Sequence, residues 1–489
     1  MDIKMRLRKI LTHVGFILTL TLMVNACAFA QNVYNVDDFG AKGDGRKVNT
    51  QAIQQAIDKC HENGGGSVVF NVGKYVSGTI YLKSNVTLHL DNGVVLMGSG
   101  DVSHYPDQQS DLPTYNQKGL TSKSLIYAEG QENIGLTGGG VIDGQGAEID
   151  LNSKRTTYQS PSFKYRPRIV HLRSCTNVLL DGITLRNSGS WVQTYQECKN
   201  LRIHSITVDS RENTDVNADT RESSVLHRNT DGLDIVDCEY VWVNDSYINS
   251  GDDGICIKSF SPDKHCRNIT VSNCHVSSMA SAIKIGTETA GQITDVVIQN
   301  CTVFDTWGEG LAIMSVDGAT VQRINISNIV LRNVRRSPIF IRLHTRNNRY
   351  GNYEYSNKPK LEDIIMDNIQ GNQLSGLGSS ISGIEGYAIR NVRLSRINFE
   401  VEGNDLAEIP TTVKEKKKGY PKGDMFGSVL PAYGFYVRHV DNLFFDDVHL
   451  RTQGTDPRPA FVIESSKNIG VNQGKDLIDT KPNEIIQIQ

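Results

Sequence analysis

Residues 229–259 read NTDGLDIVDCEYVWVNDSYINSGDDGICIKS. Asp231 stands in one glycine-bounded turn, and Asp252-Asp253 stand in another, twenty-one residues further on. The segment between them alternates apolar and polar residues, the period-two signature of a half-buried strand. A turn, a short strand and a second turn of the same kind within about twenty-five residues form the unit of a repeat.

The same unit recurs along the chain. A turn residue followed by an apolar alternation falls at Asn85-Val86, Asn133-Ile134, Asn177-Val178, Asn200-Leu201, Tyr240-Val241 and Asn268-Ile269. It continues at Asp295-Val296, Arg323-Ile324, Asp363-Ile364, Asn391-Val392, Asn442-Leu443 and Asn468-Ile469. Separations near 23–28 residues set the period, and longer ones of 40–51 are that period plus an insertion, or nearly two periods. A fixed period of this length marks a solenoid, whose units bury their apolar faces only by stacking. The expected fold is all-β: a right-handed parallel β-helix forming one domain over residues 31–489, with a capping helix near Thr50–Cys60 started by Asn49 or Thr50. Neither the leucine spacing of a leucine-rich repeat nor a 3.6-residue period is present.

Residues 1–30 carry Lys4, Arg6, Arg8 and Lys9, then the apolar run Ile10–Val24, then Ala28-Phe29-Ala30 before Gln31. That order reads as an export signal, placing the protein in the periplasm or outside the cell. Lipid attachment at Cys27 is the less favoured alternative. Removing the segment takes four basic residues and one acid from a formal charge of −3, leaving about −6. No basic field for nucleic acid remains, and no further apolar run could span a membrane. Cys175, Cys198, Cys238, Cys274 and Cys301 recur at similar points of the repeat, as small apolar side chains stacked in a core would. With no CxxC or Cys/His cluster, neither a metal nor another cofactor is expected. A monomer is expected.

Stacking turns distant residues into neighbours. Positions 231, 252/253, 281 and 309 fall in one file, with coils about 4.8 Å apart. Alternation directs Ile255, Ile257, Ile283 and Ile285 inward, so Lys258 and Lys284 point out of the coil on the same wall. Crowded carboxylates raise at least one of their proton affinities, and a protonated acid beside an ionised one suits glycosidic hydrolysis. The insertions Asp209–Asn229 and Arg346–Lys360 leave the coil and return, as loops that wall a binding groove do. Lys414–Lys418 reads as a solvated loop.

The pair Asn229-Thr230-Asp231-Gly232 and Gly251-Asp252-Asp253-Gly254, with Ile142-Asp143-Gly144-Gln145-Gly146 upstream, resembles the polygalacturonase family of glycoside hydrolases, family 28. Arg166-Pro167, the Trp191 segment and the late run from Tyr420-Pro421 to Arg438-His439 are similar to it too. The resemblance implies that Asp252 is the general acid, that Asp231 and Asp253 hold and deprotonate water, and that the anomeric carbon is inverted. Family members acting on polygalacturonate carry a Gly-His-Gly and an Arg-Ile-Lys where this chain has Ala280-Ser281-Ala282 and Ala312-Ile313-Met314.

Asn229, Lys258, Lys284, Glu309, Arg342, Tyr433 and Arg438 are the candidate substrate-contacting residues, with Arg346 beside the second insertion and Trp191 either a sugar platform or a buried aromatic. The expected partner is a pectic polysaccharide or oligosaccharide, galacturonan or rhamnogalacturonan, cleaved internally or from an end. Two other readings stand beside hydrolysis: β-elimination by a lyase whose acids hold Ca²⁺, and a solenoid that binds carbohydrate without turnover.

Overall fold

The computed structural model describes residues 32–114, 122–146, 166–211, 229–406, 408–411, 413–471 and 485–488. The expected export segment, Cys27 and most of the Asp209–Asn229 insertion lie outside them.

All twelve turn residues of the repeat, from Asn85 to Asn468, adopt the left-handed conformation, with φ between 53° and 68°. Asparagine and aspartate tolerate that region better than other residues with a side chain, which explains their dominance at the corner. Their amides then pair along the solenoid: Asn133 Nδ2 donates to Asn85 Oδ1, Asn177 to Asn133 and Asn200 to Asn177, at 2.8, 2.9 and 3.0 Å. Tyr240 and Arg323 interrupt the ladder, and it resumes from Asp363 through Asn391 and Asn442 to Asn468. The residue after each corner, from Val86 to Ile469, is buried at 2% exposure or less. Each contributes roughly 1.5–3 kcal/mol by leaving water.

The coils form a right-handed parallel β-helix. A 22-stranded sheet covers two faces of each coil, because strands such as Gln292–Thr306 and Thr320–Val334 bend at a second left-handed asparagine, Asn300 and Asn328. A 13-stranded sheet forms the remaining face. Strand pairing across the long separations joins adjacent coils in every case, Val178 with Ile134 and Leu201 with Val241 among them, so each long separation is one coil plus an insertion. Three insertions not singled out in the sequence lie between Gly98 and Ser124, Asp143 and Arg168, and Glu402 and Phe435.

The capping helix spans Thr50–Glu62 and packs Ile53, Ala56, Ile57 and Cys60 over the first coil. Asn49 occupies the cap position, but its side chain binds the Lys42 backbone instead, and Thr50 Oγ1 accepts from Gly78 N. At the far end Ile485–Ile488 pairs antiparallel with Phe461–Glu464, departing from the parallel rule and covering the last edge of the smaller sheet. The eight cysteines among the described residues are free and buried. Cys175, Cys238 and Cys301 each point the thiol at the carbonyl two residues back, 3.2 Å away.

Candidate active site

The corner that precedes the smaller sheet builds the site. Gly232 N donates to Asp253 O, Gly254 N to Ser281 O and Ala282 N to Glu309 O, at 2.8, 2.8 and 2.9 Å, which stacks positions 231, 253, 281 and 309 in one file. Only glycine fits after the two acids: a Cβ on Gly232 would meet Gly254 O at 2.8 Å, and one on Gly254 would meet Ala282 O at 2.3 Å.

Asp252 is half-buried and accepts from Asn229 N on one oxygen and Asp253 N on the other, both at 3.0 Å. Asp253 is 5% exposed, with Ser281 N at 2.9 Å from one oxygen and the Lys284 ammonium at 2.7 Å from the other. Asp231 is 3% exposed; Lys258 Nζ lies 3.2 Å from its Oδ2, and its Oδ1 is buried without a hydrogen-bond partner among the described residues. Lys258 also lies 2.7 Å from Asp234 and 3.4 Å from Glu288, and 3.8 Å above the Trp191 ring. One ammonium thus serves three carboxyls.

This imbalance separates the proton affinities. Burial pushes Asp231 well above the usual carboxylate range; Lys258 opposes it, while Asp234, Asp252 and Asp253 add to it. Burial pushes Asp234 up to about 6 against the pull of Lys258. Burial acts on Asp253 too, but Lys284 and Lys258 outweigh it and hold that carboxyl below its ordinary value. A protonated carboxyl beside an ionised one is the pairing that acid and base work requires.

Lys258 and Lys284 leave the coil outward as alternation dictates, yet they are 2% and 3% exposed. Trp191 and the neighbouring carboxyls enclose the first, and Asp253 and the Tyr420 hydroxyl hold the second. They orient the acids and present no free charge to solvent. Glu309 is buried and accepts from Ser281 Oγ, Gly423 N and Arg336 Nη1. Arg342 lies three coil steps beyond Lys258 and donates to Ser382, Gly383 and Lys416 oxygens. Arg346 pairs with Asp317. Arg438 stands two steps further than Arg342 and is held by Glu464 and Val413 O. Tyr433 lines a separate depression with Asn398, Val448 and His449, apart from the acids. Trp191 is a buried aromatic.

Residues 413–427 cross the outer face of the smaller sheet as a strap. Their oxygens accept from Arg438, Arg342 and Thr345, Gly423 N reaches Glu309, and Tyr420 OH lies 3.2 Å from Lys284 Nζ. Met425 packs over Ala312, Met314 and Phe340. The 414–418 side chains are exposed or half-buried, but their backbone is docked, so this segment is a wall of the site.

Sequence reasoning missed Asp234, although the alternation applied to Lys258 directs it outward between Leu233 and Ile235. It also missed Glu288, because the register slips after Ile257 and alternation stops being a guide. Ligand atoms of Asp231, Asp234 and Cys256 lie within 4.8 Å of one another. Two carboxyls and a thiol, with an ammonium already between the carboxyls, do not suit a hard cation such as Ca²⁺.

Comparison with known proteins identifies the family and the fold. The model of the family Glycosyl hydrolases family 28 matches residues 65–417. A probable polygalacturonase of Vitis vinifera is 31% identical over 279 residues, 53% of this chain and 52% of that protein, so the match spans about half its length. An endo-polygalacturonase of Pectobacterium carotovorum subsp. carotovorum is 26% identical over 333 residues, 65% of this chain and 77% of that one. Among solved structures, the Yersinia enterocolitica family 28 exopolygalacturonase superposes with a TM-score of 0.69 at 21% identity, covering 92% of this chain and 79% of that one. An exopolygalacturonase of Thermotoga maritima gives 0.61 at 20% identity, covering 94% of each. These two likenesses show the fold.

Proposed function

The chain belongs to glycosyl hydrolases family 28, and we propose that it hydrolyses α-galacturonosyl linkages in pectic polysaccharide or oligosaccharide, with inversion at the anomeric carbon. By that membership it is a glycoside hydrolase. The observation that carries the proposal is the stacking of Asp231 and Asp253 on adjacent coils, with Asp252 beside them and more open to solvent. Asp252 protonates the glycosidic oxygen. Asp253, kept ionised by Lys284, takes a proton from water, and Asp231, protonated through burial, holds that water in line.

The strap of residues 413–427 supports action from a chain end, since it roofs the sheet on the carboxy-terminal side of the acids. The basic and apolar order of residues 1–24 supports export. No helix among the described residues is long and apolar enough to cross a membrane.

Oligogalacturonates and rhamnogalacturonan oligosaccharides, assayed for new reducing ends, product length and product anomer by NMR, test the reading. Release of short products with inverted configuration is expected. An unsaturated, ultraviolet-absorbing product would make the enzyme a lyase, and saturable binding without turnover across the panel would end the catalytic reading.

A further inference from the structure

Cations around the acids are matched by protein carboxyls: Lys258 by Asp231, Asp234 and Glu288, Lys284 by Asp253, Arg336 by Glu309 and Arg346 by Asp317. The amino-terminal side of the site differs. Two coils before Asp234, about 9.6 Å away, strand Arg168–Arg173 buries two guanidiniums, Arg168 at 6% and Arg173 at 4% exposure. Arg168 donates to the His171 ring at 3.0 Å and lies 5.2 Å over Trp191. Arg173 donates to Gln108 O and Tyr127 OH, at 3.3 and 3.4 Å. Neither has a carboxylate partner among the described residues.

Both Nε atoms are buried with no acceptor among the described residues, and Thr194 Oγ1 is buried with no partner among them. Thr194 lies on the strand between: register runs His171, Thr194, Asp234, with Arg168 held against His171, while Arg173 stands two residues along, in register with Gln196 and Val236. Burial and the two guanidiniums hold His171 well below its usual value, so it accepts from Arg168 and adds no charge. Burial lowers Arg168 to about 10, which leaves it charged at neutral pH. Asp234 and Asp231 offset part of the Arg168 charge from a distance, but two buried like charges with no carboxylate in contact among the described residues are costly, and a guanidinium fork fits a carboxylate.

We propose that Arg168 and Arg173, with Thr194 between them and the acids, recognise the carboxylate of a uronosyl residue bound on the amino-terminal side of the cleavage point. This rests on the hydrolase reading of the acids and adds to it where the acidic sugar is read. On the opposite side the outward positions Ala312, Met314 and Phe340 are apolar and lie beneath Met425 of the strap. The enzyme therefore requires a free carboxylate on the amino-terminal flank of the bond.

Calorimetry on the full-length Asp252→Asn protein, titrated with oligogalacturonate and with the same oligomer carboxyl-reduced, tests this. The acidic ligand is expected to bind about tenfold or more tightly. Arg173→Gln removes that preference by weakening only the acidic ligand, Arg173→Lys restores part of it, and Thr194→Ala, which leaves both guanidiniums in place, reduces it. In the active protein Arg173→Gln raises KM for the acidic substrate and leaves the reduced one unchanged. Equal weakening of both ligands, or an undiminished preference, overturns the proposal. Turnover without an Arg173-dependent preference rejects this subsite alone; an Arg173-dependent preference without turnover by the parent protein rejects the hydrolase reading alone.

Discussion

The Lys284 ammonium stands 2.7 Å from the Asp253 carboxylate, both side chains nearly buried, and the second carboxylate oxygen is held by Ser281 N. Ser281 brings only its backbone amide to Asp253, and the charge that steadies the carboxylate comes from the strand that follows. Lys284→Met leaves burial unopposed by its nearest cation, so the Asp253 carboxyl rises. In the proposed mechanism Asp253 works ionised, so the acid limb of the kcat/KM profile is expected to move up by about one pH unit or more. An unmoved acid limb would show that Lys284 does not set the ionisation of the base.

Asp252→Asn removes the proposed proton donor and keeps one of the two oxygens that accept from Asn229 N and Asp253 N. The expected loss on oligogalacturonate is about 10²- to 10⁴-fold, and much smaller on a galacturonosyl substrate whose leaving group needs no proton. Equal losses on both would transfer the acid role to Asp231, the carboxyl that burial keeps protonated.

Asp237 is pushed up to about 7 by burial, against the hydrogen bonds it accepts from Ser259 Oγ and the Phe260 and Ser261 amides. Its folded value exceeds its unfolded one, so the native state binds the extra proton between roughly pH 4 and 7, and stability falls as pH rises through that window. Asp234, at about 6, acts with the same sign. Asp237→Asn is expected to flatten the drop in urea stability between pH 5 and 8 by on the order of 2 kcal/mol. Parallel profiles for parent and variant would refute it.

Asn177 sits at φ 57° and joins two steps of the amide ladder, donating to Asn133 and accepting from Asn200. Asn177→Ala is expected to cost about 1–2 kcal/mol in thermal or urea unfolding, and Asn177→Gly less, since glycine keeps the corner and loses only the ladder. A glycine variant as damaged as the alanine one would place the cost in the hydrogen bonds.

The solenoid was legible because it is local and repeated. One corner residue followed by one buried aliphatic, as in Asn268-Ile269, carries both the corner conformation and the inward direction; twelve copies state it, eight of them with asparagine at the corner. The file of Asp231, Asp253, Ser281 and Glu309 followed from counting alone. Burial of the outer wall did not, because what covers Lys258 and Lys284 comes from Trp191 and from Tyr420, the latter 136 residues beyond Lys284 in the chain. Nor did the separation of Tyr433 from the acids, which depends on how far an insertion carries the chain before it rejoins the coil.

Four of the five insertions, those before Ser124, Arg168, Leu233 and Phe435, enter at the corner that leads into the 13-stranded sheet, the one that also holds Asp231 and Asp253. Length is thus added where it surrounds the chemistry, while the asparagine corner and the lumen are left untouched. Such a scaffold permits the substrate range of its lineage to diverge by exchanging rim segments wholesale, without renegotiating how the protein folds.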